Sequence, residues 1–193
     1  MDKPWWLTVI QWTLWVVAMV LVMGWLARSR FKKRSPEDLK KLYHPVSTLI
    51  LGLVGFLFFA ALIVLSNVFP NETVTWWTNA GFGGFAALSV PVILDYFRAR
   101  HELTDSGIIC GRMFLPRHHL GWENVKRIEY STSMKWFKIE TRSGKVGRIS
   151  VMLIGLPEFA QAVLSGVPRG AIAPDTLSLL KETASGNPPS VWH

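Results

Sequence analysis

The side chains that most often carry out catalysis are sparse in this sequence, and their spacing forms no catalytic motif. His118 and His119 are adjacent, so on a strand they point to opposite faces and cannot bind one metal ion together. Cys110 is the only cysteine, which excludes an intrachain disulfide and a cysteine-based zinc cluster. Glu123 and Glu129 lack a partner at a spacing suited to paired acid–base work. No phosphate-binding loop, nucleophile elbow or zinc-protease motif is present. The sequence therefore predicts no enzyme activity, no cofactor and no metal site.

Asp95 is the one ionisable residue within a long apolar segment. An acid inside a membrane is a candidate for proton or ion handling. However, Asp95 lies three residues before Arg98, near the end of its segment, where an ion pair and snorkelling towards water are both easy. We therefore expect an ion pair at Asp95 and leave a transport role as the alternative.

Three apolar runs, 5–26, 46–68 and 77–97, indicate membrane-spanning helices, so residues 1–97 form a predicted transmembrane domain. At about 1.5 Å per residue the first run reaches about 33 Å, enough for a hydrocarbon core of about 30 Å. The chain is 50% hydrophobic and only 18% charged, against roughly 25% charged in soluble domains. The third run contains three glycines and Pro91, which membrane helices tolerate; a buried core helix is its alternative.

The formal net charge of +8 is concentrated beside these runs and predicts their orientation. The loop after the first run and the exit from the third are rich in Lys and Arg, whereas the loop between the second and third has none. The positive-inside rule then places the N-terminus outside and the C-terminal region in the cytoplasm. Trp5, Trp6, Trp76 and Trp77 fall together at the outer interface, where indole rings concentrate.

The basic cluster after the first run is predicted to contact anionic headgroups, at about 1 kcal/mol per basic residue. Its members are Arg28, Arg30, Lys32, Lys33 and Arg34. The alternative is that these residues only set the topology. In the third run, Gly83 and Ala87 form a small-xxx-small pair that lets a helix approach closely, either within the chain or in an oligomer.

After Phe97 the pattern changes to short alternating segments, which predict a small β domain over residues 98–168. Strands are expected at Ile108–Arg112, Val125–Thr132, Trp136–Thr141 and Val146–Met152. Met113–His119 is a possible further strand, which Pro116 places towards an edge. A helix beginning near Pro157 presents one apolar stripe that ends at Ser165-Gly166. Residues 169–193 are predicted to be a flexible tail, with a short helix possible over Asp175–Thr183.

Several motifs follow one another in this region: "LTDSGI", Trp122 two residues before Asn124-Val125, "VKRIEY", the "TRSGK" hairpin and "GLPEFAQAVLSGVP". In these features the region resembles the bacterial pleckstrin-homology-like (PH-like) domains found C-terminal to membrane helices. The matching features cover roughly residues 100–168. The resemblance implies membrane α-helices joined to an α+β domain, in which a bent antiparallel β-sheet or barrel is capped by one α-helix. It also implies a multi-pass protein of the bacterial inner (plasma) membrane.

A basic surface on this domain is the remaining candidate site, because pleckstrin-homology domains often bind acidic ligands at strand ends and hairpins. Its residues are Arg112, Arg117, Lys126, Arg127, Lys135, Lys138, Arg142 and Lys145, with Arg148 nearby. The alternative is a solvated face beside a negative membrane. Without an aromatic-interleaved basic stripe, nucleic acid is not an expected partner.

Together these features predict a non-catalytic scaffold or interaction module at the membrane. Its expected partners are anionic headgroups of the bilayer and a membrane or cytoplasmic protein, or further copies of the chain. An accessory or regulatory subunit of a transporter or enzyme complex, docking through its transmembrane helices, is the alternative.

Overall fold

A computed structural model of the chain describes residues 4–31, 34–72, 74–111 and 116–190. The helices and strands are, in chain order, α1 (Trp5–Ser29), β1 (Lys41–Leu42), α2 (Val46–Val68), α3 (Trp76–Arg98), β2 (His101–Thr104), β3 (Gly107–Cys110), β4 (His118–Gly121), β5 (Val125–Ser131), β6 (Trp136–Thr141), β7 (Val146–Ser150), α4 (Leu156–Gly166) and α5 (Pro174–Ala184).

Three of these helices, α1, α2 and α3, are long and apolar enough to cross a membrane. Their large apolar side chains lie on the outside of the molecule; Trp12, Leu57 and Leu88, for example, are each more than 60% exposed. An exposed apolar surface of this extent is stable in lipid but not in water. The three apolar segments expected from the sequence are confirmed as helices, and they indicate a membrane protein.

Helices α2 and α3 form a close hairpin. Small residues on α2 allow the approach: a Cβ on Gly52 would lie 2.8 Å from Cγ1 of Ile93. Phe59 and Phe85 stack with ring centroids 5.0 Å apart near the middle. At the far end, the Asn67 side-chain amide donates to Oδ1 of Asn79 at 3.0 Å. Close backbone approach and interhelical polar bonds are the usual forces between helices in lipid.

Helix α1 contacts the hairpin near its last turn. Leu26 is its one buried residue, and the Ser29 and Ser47 hydroxyl oxygens lie 2.5 Å apart. The preceding turns of α1 expose Trp12, Trp15 and Leu21. The helix is therefore attached to the rest of the molecule at one end.

The C-terminal region and strand β1 together form what we call the module, which contains two antiparallel sheets with strand orders β1-β2-β3-β4 and β5-β6-β7. Along β6, alternate side chains (Phe137, Ile139 and Thr141) are buried, which is the two-residue period expected of a half-buried strand. The sheets face each other: a Cβ on Gly147 of β7 would meet Cδ1 of Leu120 on β4 at 2.6 Å. Glycine at position 147 therefore permits the close approach of the two sheets.

The expected α+β composition is confirmed, but the described residues form no closed barrel. A short 3-10 turn, Trp122–Asn124, separates β4 from β5, and these two strands do not pair. The module carries two helices: α4, the one capping helix expected, and α5, where the sequence analysis left a short helix possible. Helix α4 buries Leu156, Phe159, Ala160 and Val163 against the core, as its apolar stripe predicted.

Helix α5 lies within the predicted flexible tail, at the segment Asp175–Thr183 where the sequence analysis left a short helix possible. Ala173 donates its N–H to the carbonyl oxygen of Ile128 at 3.0 Å, and the Thr176 hydroxyl accepts the N–H of Tyr130 at 2.8 Å. Leu180 is fully buried. As far as residue 184 the chain therefore differs from the predicted tail, because this segment satisfies the outer edge of β5 and buries an apolar face.

The loop between α1 and α2 supplies strand β1, which the sequence analysis did not predict. Lys41 and Leu42 pair with Glu102 and His101 of β2, and Leu42 is fully buried in the core of the module. The next residue, Tyr43, exchanges backbone hydrogen bonds with Ile154. The module is therefore assembled from two separate stretches of the chain, one on each side of the α2–α3 hairpin.

Candidate functional site

Two arginines of the predicted basic cluster hold the module against the end of α1. The Arg34 guanidinium is 6% exposed, pairs with the Glu158 carboxylate of α4, and donates to the carbonyl oxygens of Asp38 and Lys41 at 3.0 and 3.1 Å. Arg30 donates to the carbonyl oxygens of Val151 and Pro189 at 3.1 and 2.9 Å. We call these contacts the arginine clamp. Its charges are directed at the protein, so Arg30 and Arg34 have a structural role that the sequence analysis did not name.

The other members of that cluster differ in their positions. Arg28 is exposed on the last turn of α1, where a headgroup could reach it. Lys32 and Lys33 lie outside the described residues. Contact between the cluster and anionic lipid stays a prediction, and Arg28 is the described residue best placed to make it.

Asp95 lies beside His44, with Oδ2 of Asp95 3.3 Å from Nε2 of the imidazole. His44 precedes α2 and is 93% buried, whereas the Asp95 side chain is 42% exposed. The pair joins the start of α2 to the last turns of α3. The sequence analysis considered ion pairing of Asp95 beside Arg98 and did not name His44 as a neighbour, because His44 and Asp95 are far apart in the sequence.

His101, the first residue of β2, is buried next to this pair. Burial, followed by the nearby His44, lowers the pKa of His101 from 6.5 to about 4. Its imidazole is therefore neutral at neutral pH, and its buried Nδ1 has no hydrogen-bond partner among the described residues. Within the described parts of the chain, no three potential metal ligands converge.

Part of the predicted basic surface is neutralised by acidic neighbours. Lys138 on β6 lies 2.5 Å from the Glu140 carboxylate and 3.4 Å from that of Glu129, and Glu129 also pairs with Arg127 at 3.1 Å. The hydrogen bond from Lys138 lowers the pKa of Glu140. Arg127 and Lys138 are therefore poor candidates for binding an acidic partner, because each already faces a carboxylate.

Three other residues of that surface form an exposed group that we call the hairpin patch: Lys126, Arg142 and Lys145. Arg142 and Lys145 lie in the β6–β7 turn, and the Arg142 N–H donates to the carbonyl oxygen of Asn124, two residues before Lys126. None of the three makes an ion pair with another described residue. Among the described residues, the hairpin patch is therefore a part of the predicted surface whose cations form no direct ion pair.

The remaining predicted basic residues lie elsewhere. Arg117 is exposed next to β4, on the other sheet, and Arg112 lies outside the described residues. Lys135 is half-buried in the β5–β6 turn with a positive φ of 53°. The Arg148 guanidinium lies over the Trp136 ring at 5.1 Å. The predicted basic surface is thus divided among several faces of the module.

Gly83 and Ala87 lie away from the α2–α3 contact. A Cβ on Gly83 would meet no atom within 4 Å, and Ala87 is exposed. The small residues that the hairpin uses are Gly52 and Gly55 on α2, with Ala86 buried on α3. Within one chain, then, Gly83 and Ala87 leave an open face on α3.

Comparison of the chain with protein-family models, with curated proteins and with solved structures finds no match. The class of protein is therefore defined by the chain's own structure. It is a membrane protein with three apolar helices and an α+β module that includes the first interhelical loop.

Proposed function

We propose that this chain is a non-catalytic scaffold whose PH-like module presents an interaction surface at the cytoplasmic face of a bacterial inner membrane. The observation that carries the proposal is the pairing of β1 with β2, which builds the loop between α1 and α2 into the module. A module fixed in this way stays next to the bilayer, and its effective concentration for membrane-bound partners rises accordingly.

The charge distribution supports the proposed orientation. Arg28, Arg30 and Arg98 lie at the helix ends that adjoin the module, and Trp5 and Trp76 lie at the opposite ends. Basic residues favour the cytoplasmic side, and tryptophan favours either interface.

The hairpin patch is the surface that we assign to a partner with acidic groups, either another protein or a second copy of the chain. Its three cations are solvent-exposed at a strand end, so they can approach a partner without first breaking an internal ion pair. Charges of this kind act mainly on the rate and the salt dependence of association.

The test is a mild-detergent pull-down of the tagged full-length chain, with mass spectrometry and a native size measurement. The patch variant is Arg142→Glu/Lys145→Glu. The matched control is Arg169→Glu/Lys181→Glu, which changes the net charge equally at exposed positions elsewhere. Loss of a discrete partner or oligomer in the patch variant alone supports the proposal. An equal effect of both variants, or no effect, contradicts it.

A second candidate function is an accessory subunit that docks through its helices. The open face at Gly83 and the largely uncovered α1 favour it. Gly83→Leu should then disrupt the complex, while Gly81→Leu, also in open space on α3, should not. If the hairpin-patch variant leaves the same complex intact, docking through the helices replaces the module as the site of action.

A further inference from the structure

A cavity of about 380 Å³ opens where α3 leaves its apolar segment and enters the module. Its walls come from the first interhelical loop (Lys41 and Tyr43), the end of α3 (Tyr96 and Arg100) and the first sheet (His101 and Arg117). This volume is within the range of about 300–1,000 Å³ that small-ligand sites occupy. The cavity is distinct from the hairpin patch, which belongs to the other sheet.

The cavity contains more positive charge than its own acids neutralise. Asp38 pairs with Lys41 at 3.0 Å, and Glu102 lies opposite Lys41 in the β1–β2 register. Arg100 and Arg117 are both exposed, and neither makes an ion pair with another described residue. Among the described residues, then, no carboxylate pairs with these two guanidinium groups, which leaves them available to bind an anion.

The chemistry of the wall suits a phosphate group. Each guanidinium presents a planar fork of N–H donors that matches two phosphate oxygens. Tyr43 and Tyr96 combine an apolar ring with a hydroxyl, which fits the boundary between acyl chains and headgroups. The neutral imidazole of His101 adds a polar wall without adding a buried charge.

The position of the cavity suits a ligand at the membrane surface. Tyr96 belongs to the last turns of α3, and Tyr43 lies three residues before α2 begins. A group bound between them lies at the depth where two apolar helices emerge from lipid. Headgroup phosphates occupy this depth, and soluble phosphate esters also reach it from the aqueous side.

We infer that this cavity is a binding site for a phosphate group, held by Arg100 and Arg117 and supplied by an anionic phospholipid or by a soluble phosphate ester. The inference does not rest on the proposed scaffold function, because the site would bind its ligand whether or not the hairpin patch binds a partner.

The experiment titrates the purified full-length chain and follows binding by native mass spectrometry. One arm uses nanodiscs or mixed micelles with dioleoyl phosphatidylglycerol, compared with dioleoyl phosphatidylcholine. A second arm uses lipid-free detergent with inorganic phosphate or glycerol 3-phosphate. The site variant is Arg100→Gln/Arg117→Gln, and the matched control is Arg142→Gln/Lys145→Gln, which removes the same charge from the hairpin patch.

The site variant should weaken binding of one phosphate-bearing ligand by about 10- to 30-fold, and the control by less than about threefold. Selective loss in the phosphatidylglycerol arm identifies a lipid site, and selective loss in the lipid-free arm identifies a soluble ligand. Equal losses in the two variants, or binding of neither probe by the unaltered chain, overturn the inference. Because both arginines are exposed, circular dichroism and melting temperature should stay unchanged, which separates loss of binding from loss of fold.

Discussion

The membrane helices and the module use the same apolar residue types in opposite ways. In the module, side chains such as Ile139 and Phe159 are fully buried, and many others join them in one continuous core. In the three apolar helices, Leu26 and Ala86 are the buried hydrophobic residues among those the structure describes. A lipid-facing leucine is already in an apolar solvent, so protein contacts contribute less to its stability. Replacing an apolar residue should therefore have very different consequences in the two regions.

The largest expected effect on stability follows from removing a large side chain from the core of the module. Phe159→Ala removes a fully buried ring that packs against Phe137, with ring centroids 5.8 Å apart. The substitution loses the free energy of burying the ring and leaves a cavity. Together these effects should lower the free energy of unfolding of the module by about 3–5 kcal/mol. Thermal or denaturant unfolding in detergent, followed through near-ultraviolet circular dichroism, measures this loss.

Phe58→Ala is the matched change in a membrane helix, since that ring is 55% exposed on α2. It should cost less than about 1 kcal/mol. Equal destabilisation by Phe58→Ala and Phe159→Ala would contradict the contrast between the two regions.

A slightly smaller effect is expected at Leu42, which tests whether the first interhelical loop belongs to the module. Leu42→Ala should lower the free energy of unfolding by about 2–5 kcal/mol, because a buried leucine leaves a cavity. The control Leu57→Ala removes the same atoms from a side chain that is 62% exposed on α2. Should Leu42→Ala melt like its control, the loop would lie outside the core.

The next effect is a dependence of stability on pH. The pKa of His101 is about 4 in the folded chain and near 6.5 when unfolded, so between these values the unfolded state binds the extra proton. Stability should therefore fall as the pH drops from 6.5 to 4, by at most about 3 kcal/mol. In the His101→Gln variant, the free energy of unfolding should depend less steeply on pH between 4 and 6.5. An unchanged slope in the variant would assign the pH dependence to other groups.

The smallest of these effects lies between α2 and α3. Gly52→Val places methyl groups against Ile93 and should cost about 1–3 kcal/mol through overpacking. Gly83→Val makes the same change in helix propensity, but in open space. The two melting temperatures in detergent compare them directly, and a Gly83→Val loss as large as that of Gly52→Val would contradict the described hairpin contact.

The sequence predicts the helices and strands well where their signal is local. The second apolar run and α2 share the same bounds, 46–68, and the strand predicted at Trp136–Thr141 is β6. The spacing of apolar residues in a segment reflects which of its faces contact lipid or core. Periodicity alone is therefore sufficient to predict such helices and strands.

Strand β1 could not be recognised in the same way, and helix α5 was recognised only as a possible short helix, without its packing against the module. Two residues of β1 are too few to show a period, and their partner strand lies about sixty residues away in the chain. Helix α5 has a weak apolar stripe, and its burial depends on the edge of β5.

The candidate site was predictable only in part. Charge alone marked the basic cluster but did not separate exposed Arg28 from the buried guanidinium of Arg34, because that difference depends on the position of Glu158. The pairing of Asp95 with His44 and the cavity beside Arg100 likewise depend on how distant segments meet. Such tertiary contacts leave no period in the sequence.

The pairing of β1 with β2 is the central claim, and a disulfide between its facing positions tests it most directly. Lys41 and Glu102 are exposed and opposite each other. Cα atoms in such antiparallel pairs lie about 4.5–5.5 Å apart, within the range of about 4.4–6.8 Å found in disulfides. The native Cys110 is buried and should not compete.

In the full-length chain, Lys41→Cys/Glu102→Cys should form an intramolecular disulfide rapidly under mild oxidation, as detected by peptide mass spectrometry. Lys41→Cys/Lys126→Cys, with its second cysteine on the other sheet, should not. Rapid closure of the first pair alone confirms that the interhelical loop is part of the module. Two pairs that remain reduced, or that close at the same rate, would contradict this architecture.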